Sequence, residues 1–88
     1  MNYTKLGKKL IKRGIDADIA ENVIKAYIGD LCIVIGDDTE GDVQGNTMVQ
    51  IIDNNSAELL YDRCYPYPSD AEMDFCAIVN SKIFQIAS

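Results

Sequence analysis

Isoleucine outnumbers leucine twelve to five in this 88-residue chain, and no uninterrupted apolar run exceeds five residues. β-branched side chains suit a pleated surface and lose rotamer freedom in a helix, so the bias favours strands over a helical bundle. Leu31-Cys32-Ile33-Val34-Ile35, stopped by Gly36, has the length and character of a buried strand. Residues 48–53 read as a second strand, followed by a turn at Asp53-Asn54-Asn55-Ser56, where asparagine tolerates positive φ. Residues 58–63 read as a third strand, with Leu59 and Tyr61 on one face. The capping spacing of Asn55-Ser56-Ala57-Glu58 leaves a helix as the alternative there. Tyr65-Pro66-Tyr67-Pro68 is extended or turned, and Ser69-Asp70-Ala71-Glu72 opens a single helical turn. Segments 75–79 and 82–87 then flank Asn80-Ser81 as a hairpin.

The first thirty residues have a different period. Thr4 can cap a helix running to about Arg13, which gathers Lys5, Lys8, Lys9, Lys12 and Arg13 in one arc and sets Tyr3, Leu6, Leu10 and Ile11 opposite. Gly14 supplies a left-handed stop, and Ile15 can fold back as its apolar contact. Asp16 or Asp18 then caps a second helix, in which Ile19, Val23, Tyr27 and Leu31 recur every fourth residue. The expected fold is therefore α+β, a single domain over residues 1–88. A helical hairpin (1–30) packs on a small antiparallel sheet of four to five strands drawn from 31–88.

A chain this short buries roughly 60–65% of its unfolded surface, so its core is thin. No apolar run approaches the roughly 20 residues that span a bilayer. Bases recur from Lys5 through Arg13 with no secretory apolar block between them, so a cytoplasmic location without a membrane partner is expected. Cys32, Cys64 and Cys76 are odd in number, widely spaced and set beside apolar residues. They read as three buried reduced thiols rather than a disulfide framework.

Histidine is absent. That removes the commonest general base, the histidine-activated nucleophile and the usual zinc ligand. With no P-loop or GxGxxG either, the chain reads as a non-enzyme with no cofactor. What stands out is charge segregation: residues 1–25 hold six bases and three acids, whereas residues 26–88 hold two bases and eleven acids. Such a division bears on partners and association rate.

Three stretches are candidate contact sites. Asp37, Asp38, Glu40 and Asp42 form the densest acid cluster. They gain when a basic protein surface docks, and an alternative is Ca²⁺ binding by the 37–42 loop, although its spacing departs from the EF-hand pattern. Tyr61, Tyr65 and Tyr67, with Pro66 and Pro68, form the most interface-like segment. The arc of Lys5, Lys8, Lys9, Lys12 and Arg13 contains like-charged i,i+4 pairs that call for a nearby anion. That anion is either the acid-rich part of a second copy in a homodimer or, as the alternative function, a nucleic-acid backbone. Net charge −6 opposes nucleic acid at long range.

In size, acidity and lack of catalytic residues the chain is similar to small acidic phage-encoded anti-defence proteins, anti-CRISPR proteins and immunity proteins against nuclease toxins. No residue motif carries that likeness. It implies an inhibitor that mimics nucleic acid and occludes a partner's basic surface.

Overall fold

The chain folds as α1 (Tyr3–Lys12), β1 (Asp16–Ile19), β2 (Val23–Ile28), β3 (Leu31–Asp37), β4 (Thr47–Asp53), β5 (Leu59–Tyr65) and α2 (Pro68–Ala87). The structure, a computed structural model, describes residues 2–38 and 46–87, with side chains through residue 85. No described helix is long and apolar enough to cross a membrane.

The first helix forms where its pattern predicts, but Asn2 caps it in place of Thr4, accepting the Lys5 N–H at 3.0 Å. Its C-terminus closes with two reversed hydrogen bonds, Gly14 N–H to the Ile11 carbonyl (2.9 Å) and Ile15 N–H to the Leu10 carbonyl (3.1 Å). Gly14 takes φ 82°, and Ile15 is buried as the apolar partner of this Schellman stop. Tyr3, Leu6 and Leu10 are buried, whereas Ile11, expected on the same side, is 52% exposed.

The expected second helix is instead β1, β2 and the start of β3. Its every-fourth-residue pattern coexists with a two-residue alternation that wins: Ile24, Ala26 and Ile28 are buried while Val23, Lys25 and Tyr27 face the other way. Gly29-Asp30 then makes a two-residue hairpin turn with glycine first, at φ 58°. Ile19, Val23, Ile24 and Ile28 are β-branched, so pairing with β3 overrides a helical signal that rests on spacing alone.

The strands form an antiparallel meander in the order β1-β2-β3-β4-β5. Residues 59–65 are a strand, as favoured over the helical alternative. A register shift opposite Ile51 and Ile52 pairs Tyr61 with Ile51 but Leu59 with Ile52, so Leu59 and Tyr61 do not share a face as expected.

The expected C-terminal hairpin is also overturned, because residues 68–87 are one helix of 20 residues. Pro68 opens it, where a missing N–H costs nothing. Ala71, Phe75 and Val79, at i, i+4 and i+8, are fully buried against the sheet. Asn80, expected in a turn, sits mid-helix and accepts a hydrogen bond from the Arg13 guanidinium at 2.8 Å. Thus α1 lies on β1 and β2 and α2 crosses β2 to β5. Both helices cover the same sheet face, around Ile24, Ile33, Ile35, Val49 and Phe75.

Candidate functional site: the open face of the sheet

Alternation along each strand sends half of its side chains to the face that neither helix covers. The register arranges them in rows across the sheet. One row runs Asp18, Lys25, Val34, Gln50, Asp62, from edge strand to edge strand. A second runs Asp16, Tyr27, Cys32, Ile52, and a third runs Val23, Gly36, Met48, Cys64. With strands about 4.8 Å apart, acids on β1 and β5 stand about 19 Å from each other across a middle of mixed apolar and amide character.

The middle is tightly knit. Val34 and Cys32 are buried although no helix lies over them, and Val23, Tyr27, Met48, Gln50 and Ile52 are half-buried around them. Gly36 is needed here because a Cβ would meet Val23 and the Asn22 carbonyl at about 3 Å. The rim is polar and exposed. Tyr27 donates to Asp18 Oδ2 at 2.9 Å, a bond that raises the phenol's pKa. Gln50 Nε2 donates to Asp62 Oδ1 at 3.3 Å. The Cys64 thiol donates to Asp38 Oδ2 at 3.5 Å. Among the described residues this face therefore carries four carboxylates, Asp16, Asp18, Asp38 and Asp62, against one lysine, Lys25.

The sequence-predicted sites are distributed differently. Asp37 and Asp38, adjacent in the chain, turn to opposite sides of the sheet. Asp37 accepts the Tyr3 hydroxyl at 2.7 Å on the helix-covered side, and Asp38 meets Cys64 on the open side. Glu40 and Asp42 lie outside the described residues, as does most of the loop offered for Ca²⁺. Among the described residues no group of three or more Cys, Asp or Glu stands together as a metal would require.

Tyr61 and Tyr65 both donate to Asp74 Oδ2 at 2.7 Å, tying β5 to α2, and the bond to Asp74 is the main reason the Tyr65 phenol is pushed above its ordinary range. Arg63 lies over the Tyr65 ring, 5.5 Å from its centroid. Only Tyr67 of the three tyrosines is free of this clamp and well exposed, at 66%.

The basic arc is split. Arg13 reaches Asn80, and Lys5 and Lys9 line a groove of about 300 Å³ between α1 and the start of α2, with Asn2, Pro68, Ser69 and Glu72. Lys8 and Lys12 are left on the exposed back of α1. The arc and the open-face acids lie on opposite sides of the sheet, so a contact between them in two copies is head-to-tail and does not close as a two-fold dimer.

The cysteines are all free, but only Cys32 is buried. Cys76 is half-buried and Cys64 is exposed, which corrects the expectation of three buried thiols. Burial pushes all three thiols up in pKa, with Asp38 adding to the effect at Cys64.

Asp16, Asp18, Lys25 and Asp62 were not among the sequence-predicted site residues. For Asp16, Asp18 and Lys25 the signal was the polar half of the alternation in residues 16–19 and 23–28, which helical spacing obscured, and for Asp62 it was the place next to Tyr61 in the strand expected over 58–63. Comparison with family models, with curated protein sequences and with solved structures gives no significant match to this chain.

Proposed function

We propose that this chain is a non-enzymatic binding module that docks the open face of its sheet on a basic surface of a partner protein and occludes it. The observation that carries this reading is the face that neither helix covers, which among the described residues pairs an acidic rim with a partly apolar, partly buried middle. Carboxylates there attract a cationic surface and steer its approach. The side chains are held by the sheet, so little entropy is lost on docking. An inhibitor of a nucleic-acid-binding protein is the form that fits best, because such a partner presents lysine and arginine arrayed for phosphates. A cytoplasmic setting, where reduced thiols persist, goes with it.

The test is capture from lysate of the native host, comparing wild-type bait with Asp16→Asn/Asp18→Asn/Asp62→Asn and with Lys8→Glu/Lys12→Glu. A basic protein retained by the wild type and by the lysine variant, lost from the aspartate variant, and blocked from its nucleic acid when bound, supports the reading. Equal capture by the wild type and the aspartate variant overturns it.

A further inference from the structure

We infer that the occupant of the open face is a cationic amphipathic helix of the partner, lying along the strands. This rests on the docking reading above and names the element that docks. The backbone groups of the three central strands are paired within the sheet, so this face must recognise side chains and cannot add a strand. Its low-charge middle, on β2 to β4, is about 10 Å wide, and a helix with side chains is about 10–12 Å across. Acids stand on both flanks, Asp16 and Asp18 on β1 and Asp62 on β5, where lysines or arginines on the two shoulders of such a helix reach. Val34, Met48 and Ile52 lie beneath its apolar stripe. β3 and β4 are seven residues long, about 23 Å, which matches a helix of about 15 residues. Among the described residues, Lys25 is the one group on the face that opposes a cation.

A second copy offers a worse occupant. The apolar side of its α1 is already committed to its own sheet through Tyr3, Leu6 and Leu10, which leaves only Ile11 outward between the lysines.

The experiment titrates the full chain into two fluorescent peptides of about 15 residues. One places leucines on one helical face with lysines on both shoulders, and the other has the same composition scrambled to erase that face. The amphipathic peptide should bind at least about tenfold tighter than the scrambled one and turn helical by circular dichroism when bound. Asp16→Asn/Asp18→Asn/Asp62→Asn should weaken it about tenfold, and Lys25→Glu, at an exposed site, should tighten it about threefold. Equal, aspartate-dependent binding of both peptides overturns the helix while leaving the docking reading intact. Binding insensitive to these substitutions, or no binding of either peptide, also overturns the helix, and the capture experiment then judges docking separately. Concentration-dependent self-association of the chain alone, abolished by the aspartate substitutions, makes a second copy the occupant and overturns it too.

Discussion

Replacing Phe75 with alanine tests whether the C-terminal segment is a helix lying on the sheet. Phe75 is completely buried among Ile33, Val49 and their neighbours. Removing a buried phenyl ring costs about 3–5 kcal/mol, from lost transfer energy and the cavity left behind. At about 0.05–0.15 kcal/mol per residue, a chain of this length has only about 4–13 kcal/mol in all. Its unfolding entropy of about 2.1 cal/mol/K per residue converts the loss to a fall in Tm of about 16–27 °C.

Two controls separate the helix from the hairpin expected from the sequence. Met73, 73% exposed, points away from the sheet, so Met73→Ala should change stability by less than about 0.5 kcal/mol. Ala77 is exposed, so Ala77→Glu should be tolerated. In a strand, residues 75, 77 and 79 share one face, and a glutamate at 77 would damage the core as badly as alanine at 75. Urea unfolding followed by far-ultraviolet circular dichroism gives all three values. A large loss with Ala77→Glu, or none with Phe75→Ala, refutes the packing of α2.

Three further outcomes are expected. Gly14→Ala meets no neighbouring atom but forces a Cβ onto φ 82°, so it should cost about 1–2 kcal/mol in the same urea assay, and a neutral result would contradict the Schellman stop. Burial raises the Tyr3 phenol, and the Asp74 bond raises Tyr65, above the ordinary 10.0. A group whose pKa is higher in the folded state contributes fully below its unfolded value and loses that contribution as pH rises toward the folded one, so stability should hold to about pH 9–10 and then fall, with three of the five tyrosines, Tyr3, Tyr65 and the Asp18-bonded Tyr27, ionising late by absorbance. With a thiol reagent at neutral pH, Cys64 should label in the folded protein, Cys76 more slowly, and Cys32 only on unfolding. Fast labelling of Cys32 would show that the centre of the open face is not closed.

Local signals were legible in the sequence wherever they did not compete. Gly14 with Ile15 ended α1, the run 31–35 became the central strand, and the Asp53 turn formed, with the Asp53 carboxylate accepting the Asn55 and Ser56 N–H groups. The positive φ fell on Ala57 rather than on an asparagine. Failure came where two periods overlapped. Residues 18–31 satisfy both a four-residue and a two-residue repeat, and only the long-range register with β3 decides between them. Residues 75–87 hold β-branched residues around Asn80-Ser81, yet Ala71, Phe75 and Val79 need a helix to reach one sheet face. The candidate site was obscured for the same reason. Once 16–28 read as a helix, Asp16 and Asp18 became caps, and the alignment of Asp18 with Asp62 across five strands depends on pairings no local pattern contains.

Methyl NMR of the chain bound to the captured partner shows whether the open face is the contact surface. With the partner on the open face, Val23, Val34, Met48 and Ile52 shift or broaden, while Leu6, Leu10 and Val79, in the core between the helices and the sheet, stay in place. Perturbation confined to methyls under α1 and α2, with the four open-face methyls unchanged, would contradict it.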